Sequence, residues 1–279
     1  MRNRVTPMHI IDSHVHIFQP RIALAAVMAT NNFYEGSCNA EIPAPVPLGH
    51  LPGTVEDLLP RMKKDGVERA VVFSTATAPH QVEIINRFIR DTCRENPQLI
   101  GVGTMHPDYP DFEGEVKRMK ESGLVGIKLH PDIQRFKLDD ERLLPLYEIM
   151  SAENLFLIAH TGDYRYDYST PRRMAHVARS FPKLRCVAPH CGGWSEWKDA
   201  RECLRLPNVF IDTSSTLPFN AYDAARKALE AFDPTHIFFG TDYPMWEPGE
   251  ELERFFSLGL GNRMNEMILS ENFEAFLKL

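Results

Sequence analysis

The sequence predicts an α/β fold, specifically a (β/α)8 TIM-like barrel, from three observations. Short β-branched or aliphatic runs begin near Ile10, Ala70, Leu99, Leu124, Leu155, Leu184, Val209 and Ile237 in a chain of 279 residues. Apart from one step of 60, these starts lie 25–31 residues apart, with helix-compatible stretches at 55–65, 81–95, 111–122, 140–153, 171–180, 194–205 and 219–231. Strand–helix alternation at that spacing is the pattern of right-handed βαβ units with a parallel sheet, and eight such units fill a barrel. No Gly-x-Gly-x-x-Gly follows the first run, which argues against a doubly wound dinucleotide-binding sheet.

Taken in order, the first run is "HIIDSHVHIF". Side chains alternate along an extended chain, so Asp12, His14 and His16 are expected on one face and Ile11, Val15 and Ile17 on the other. Residues 18–54 exceed an ordinary βα connection by about 30 residues and carry prolines at 20, 43, 45, 47 and 52. That stretch predicts a lid loop over the barrel mouth, a subunit contact being the other reading. The second and third runs, "AVVFST" and "LIGVGTM", are apolar, with His106 just past the third. The fourth, "LVGIKLH", puts Lys128 and His130 on one face; the fifth, sixth and eighth end at His160, His190 and Asp242. The tail, 249–279, predicts two or three more helices. The last, "SENFEAFLKL", reads with Ser270 as N-cap and Phe273, Phe276 and Leu277 inward. The whole chain, 1–279, is expected to form a single domain.

Composition narrows the function classes. At 43% hydrophobic and 25% charged the chain matches a soluble globular protein. A formal net charge of −7 argues against a nucleic-acid partner. No apolar run approaches the length of a membrane span, and the basic start lacks the apolar segment of a secretory signal. The five cysteines show no C-x-x-C pair, which fits reduced thiols and a cytoplasmic location.

Barrels place their chemistry at the C-terminal ends of the strands. His-x-His alone is weak, since 11 histidines in this length produce one by chance about 0.4 times. The stronger signal is that five of eight strands end in His or Asp, types that rarely terminate buried strands without a partner. His14, His16, His160 and Asp242 therefore converge as candidate ligands of one divalent cation. Imidazole and carboxylate donors suit zinc, and also manganese, iron or cobalt. His190 is a further ligand or an acid–base group beside it.

Together "DSHVHIF", "LIAHTGD", "VAPHCGG" and "FFGTDYP" resemble the amidohydrolase superfamily over essentially the whole chain, closest to its amidohydrolase-2 branch, which includes the aminocarboxymuconate-semialdehyde decarboxylase-like lyases. The resemblance implies that His14, His16, His160 and Asp242 hold the metal, zinc foremost, and that His190 polarises substrate or moves protons. Asp242 doubles as the proton shuttle. It also raises a carboxylated Lys128 bridging two metals, against which stands an inward Lys128 paired with Asp12 or Asp242. A mononuclear site is the working expectation, with His130 as a supporting or substrate contact.

The expected function is a hydrolase in which metal-activated water attacks an amide, ester or lactone of a small molecule. The alternative is a non-oxidative decarboxylase or hydratase acting on an unsaturated or aromatic acid. For such acids Arg165, flanked by Tyr164 and Tyr166, is the expected carboxylate anchor. A homodimer is expected by family resemblance.

Overall fold

The computed structural model describes residues 8–42, 46, 49–219 and 222–278, with the backbone alone at 222–224. Among the described residues, nine parallel strand segments occupy eight positions. They are β1 (Ile11–His16), β2 (Arg69–Phe73), β3 (Leu99–Gly101), β4 (Gly103–Thr104), β5 (Gly126–Leu129), β6 (Phe156–Ala159), β7 (Cys186–Ala188), β8 (Val209–Asp212) and β9 (Ile237–Phe238). β3 and β4 are the predicted third strand, split at Val102. Their ladders run β1-β2-β3 and β4-β5-β6-β7-β8-β9, each strand beside its sequence neighbour. Val102 N–H still reaches the Val72 carbonyl at 3.0 Å, and Val15 pairs in parallel with Tyr243, so the last position meets the first. This is the (β/α)8 barrel.

Alternation sorts side chains between two cores. Val71, Phe73, Phe156, Ile158, Val187, Phe210 and Phe238 point into the barrel, where Phe273 and Phe276 of the last helix pack against them. Ala70, Val72, Leu157, Ala159, Cys186, Val209 and Ile211 belong to the outer core beneath the helices. Two residues further along the same inward rows come His160 after Ile158 and Asp212 after Phe210. The barrel is thus apolar at one end and polar at the other, as alternation of period two requires.

Three expectations need correction. The β1 register shifts between Asp12 and Val15, so Ile11 joins the inner core while Val15 and Ile17 stay outside. Strict alternation over 11–17 does not hold, because a bulge resets the phase. Second, residues 18–54 are not simply a loop: Pro20–Tyr34 is a 15-residue helix, α1. Pro20 takes the N-terminal turn, where a missing N–H costs little, and "ALAAVMA" supplies good helix formers. The prolines at 43, 45 and 47 lie outside the described residues. Third, Ser270 caps nothing. It sits buried in a π-helical turn, Met267–Glu271, between Asn262–Glu266 and Asn272–Lys278. Phe273 and Phe276 do face inward, with Leu277 partly buried against them.

Candidate metal centre

The β1 bulge presents His14 and His16 at the polar end of the barrel. Their Nε2 atoms each lie 3.4 Å from Asp242 Oδ1. One donor atom from each of these three residues falls within 4.8 Å of the others. Asp242 is brought to β1 by the backbone, its N–H donating to the His14 carbonyl at 2.9 Å. Asp12 ties the same loop down: Thr241 donates to it through Oγ1 at 2.6 Å and N–H at 3.0 Å.

Tautomers follow from the partners. Asp212 Oδ2 sits 2.8 Å from His14 Nδ1, which directs that proton away from the centre and leaves Nε2 as a donor toward it. Asp212 Oδ1 accepts from the His190 and Ser214 N–H groups. Burial opposes its ionisation, yet the His14 and His190 imidazoles and Ser214 hold its carboxyl well below the usual range. Burial also pushes His14 down to about 3, with Lys128 adding to the effect, and lowers His16, His160 and His190. Asp242 is likewise kept ionised: burial works against the charge, and the His16 hydrogen bond and the neighbouring imidazoles outweigh it. The result is neutral imidazoles facing a carboxylate, the protonation pattern that divalent ions require.

Other predicted residues stand close by in different roles. His160 Nδ1 lies 3.1 Å from His190 Nε2, and its own Nε2 is buried, 3.9 Å from Asp132 Oδ2 and without a hydrogen-bond partner. His160 groups with Asp132 and Asp163 rather than with the first triplet. His190 Nδ1 meets the Ser214 carbonyl and hydroxyl. His130 stacks on His160 with centroids 4.1 Å apart and meets the Tyr34 hydroxyl at 3.0 Å. Lys128 is fully buried, 3.2 Å from His14 Nε2 and over the Phe73 ring; burial pulls it down to about 8. The expected Lys128–Asp12 pair is not formed, because Asp12 is committed to Thr241 and the His14 N–H.

Arg165 also departs from expectation. Its Nε and Nη2 bind both oxygens of Asp163, at 2.9 and 2.6 Å, and its Nη1 bonds the Phe33 carbonyl. Phe33, Tyr34, Tyr166 and Trp194 surround the guanidinium at 4.6–5.8 Å. Arg165 therefore clamps the end of α1 and does not line the cavity, whereas Tyr166 does. Tyr164 is 41% exposed, and its hydroxyl accepts from the Cys38 N–H at 3.3 Å. His106 is buried with Nδ1 accepting from Asp108 N–H.

The cavity above these groups measures about 950 Å³ and is lined by His16, Lys128, His130, His160, His190 and Asp242 at its polar end. Its floor is held in unusual backbone. His190, Cys191, Ser215 and Asp242 all adopt φ of 43–62°, a left-handed conformation that costs non-glycine residues energy and clusters at functional sites. At Gly162 (φ 80°) a Cβ would meet the Gly193 backbone at 2.6 Å, so only glycine lets the fifth-strand "HTGD" and sixth-strand "CGG" loops pack.

Sequence reading missed Asp212, Ser214, Ser215, Tyr34 and Asp132. Asp212 had a signal, ending the seventh strand in "VFIDTS" two residues past an inward Phe210. Tyr34 and Asp132 had none, since tertiary packing alone brings them in.

A parallel barrel with imidazole and carboxylate donors at the C-terminal ends of its strands defines a class of metal-dependent enzymes. The amidohydrolase family model, of the amidohydrolase-2 branch, matches residues 11–279, and the chain belongs to that family. No curated protein sequence matches it. Among solved structures it is similar to an uncharacterised TIM-barrel protein of Bordetella bronchiseptica, at 20% identity and a TM-score of 0.76, covering 97% of this chain and 99% of that one. A 5-carboxyvanillate decarboxylase of Novosphingobium aromaticivorans, complexed with manganese, matches at 16% identity and a TM-score of 0.73, covering 98% and 96%. A putative 2-pyrone-4,6-dicarboxylic acid hydrolase of Pseudomonas putida matches at 19% and 0.68, covering 97% and 98%. No helix among the described residues is long and apolar enough to cross a membrane.

Proposed function

We propose that the chain is a metal-dependent hydrolase acting on a carbonyl-type small molecule, an amide, ester or lactone. The observation that carries this reading is the convergence of His14 Nε2, His16 Nε2 and Asp242 Oδ1 at the floor of a cavity large enough for such a substrate. The donor set fits one divalent cation, zinc foremost and manganese next, and His160, whose Nδ1 lies 3.1 Å from His190 Nε2 at the same cavity floor, is the proposed fourth ligand. Bound there, the ion supplies Lewis acidity toward water and toward a carbonyl oxygen.

The protein's own groups do the rest. Asp242, ionised and with Oδ2 held by the Ser215 hydroxyl, accepts a proton from water and returns it to the leaving group. Trp246 Nε1 donates to Ser215 Oγ at 2.9 Å, which aims that hydroxyl at the carboxylate. His190, the neighbouring buried imidazole, polarises the substrate or relays its proton. Tyr166 walls the cavity, and the α1 segment within 18–54 serves as its lid.

A lyase reading, decarboxylation or hydration of an unsaturated or aromatic acid, is favoured by one observation. Lys128 is a buried amine at the cavity floor, a counter-charge suited to a carboxylate. Arg165 is dropped as the anchor because its donors are engaged elsewhere. The test is a panel of esters, lactones, amides and aromatic or muconate-like acids on the metal-loaded protein. Hydrolysis that Asp242→Asn lowers about 10²–10⁴-fold, with metal still bound, is the expected result. Carbon dioxide release without hydrolysis would replace the hydrolase by the lyase.

A further inference from the structure

The cavity has a second arm that the proposed chemistry leaves unused. On α1, Ile22, Ala26 and Ala29 face it at helical spacing, i, i+4 and i+7. A second helix, Val82–Glu95, contributes Ile84, Ile85 and Phe88 to the same lining. These six side chains are hydrocarbon, with Gln19, Arg21, Thr30, His80 and Gln81 adding polar groups elsewhere on the lining. Ile22 and Ile84 remain 45% and 46% exposed although both are aliphatic. Residues of that kind are ordinarily buried, and a concave apolar wall left open marks a place where a ligand completes the packing. The arm is continuous with the polar end holding His16, Lys128 and Asp242.

We infer that this arm selects substrates carrying an alkyl chain of several carbons, with the reacting group at the polar end. The inference rests on the reading of the polar end as the reacting site and adds the substrate class. A chain lying along this lining contacts hydrocarbon from both helices, and each methylene it buries tightens binding about two- to fourfold.

Isothermal titration of the metal-loaded protein with straight-chain alkanoates, propanoate to decanoate, tests this without requiring turnover. Affinity is expected to rise with each carbon. Ala26→Phe, which fills the arm, removes that rise while propanoate binds as before. Ile84→Asp, which places a charge in the arm, does the same from the second helix, and thermal melting checks that both variants are folded. Affinity independent of chain length, no binding by the longest acids, or variants that bind octanoate as the parent does would each overturn the inference. Failure of the hydrolase reading would show separately, as absent turnover with the chain-length dependence intact.

Discussion

His14 and Asp212 form a buried pair, Nδ1 to Oδ2 at 2.8 Å, with neither side chain exposed to solvent. The carboxylate sets which imidazole nitrogen faces the candidate centre, and it does so from β8, two strand positions from β1. An asparagine there could present its N–H to Nδ1 and shift the His14 proton to Nε2. Asp212→Asn is therefore expected to weaken divalent-ion affinity about 10–100-fold, read by competition with a chromophoric chelator. Unchanged affinity would remove the orienting role.

Lys128 shares the centre with His14, yet its amine is accommodated by the Phe73 ring, the His14 nitrogen and the charges of Asp242 and Asp212. Elemental analysis is expected to find one equivalent of metal per chain in the parent and in Lys128→Met. Two equivalents falling to one in the variant would instead make Lys128 a bridging ligand.

The Arg165–Asp163 clamp is structural, since Asp163 is fully buried and its partner is enclosed by four rings. Arg165→Met strands a carboxylate in the interior, at a cost of about 3–5 kcal/mol. Chemical denaturation is expected to show that loss, with much of it recovered in an Arg165→Met, Asp163→Leu double variant. A loss of acid binding without a loss of stability would restore Arg165 as a substrate anchor.

Glu251, buried beside Arg254, has its carboxyl pushed up to about 8, chiefly by burial, with Arg254 opposing. From the ordinary carboxylate range to about pH 8 the folded chain keeps a proton that the unfolded chain has released. Stability from this group therefore falls as pH rises through that window. Glu251→Gln is expected to flatten the decline in melting temperature between pH 5 and pH 8. An identical decline in parent and variant would place the titration elsewhere.

What the sequence determined by itself was the periodic part. Strand and helix spacing is a local property, so the eight strand positions and the Val55–Asp65 and Pro171–Ser180 helices were legible from residue patterns alone. The residues ending those strands were legible too, because a barrel brings all its strand ends to one rim. Tertiary structure decided where each side chain points. The β1 bulge depends on pairing with β2, and Asp212 reaches His14 only once β8 and β1 share an interior. Arg165 turns to Asp163 and the Phe33 carbonyl because α1 packs there, a contact between residues 132 positions apart. Such choices are set by competition among partners distant in sequence, and local pattern carries no record of who wins it.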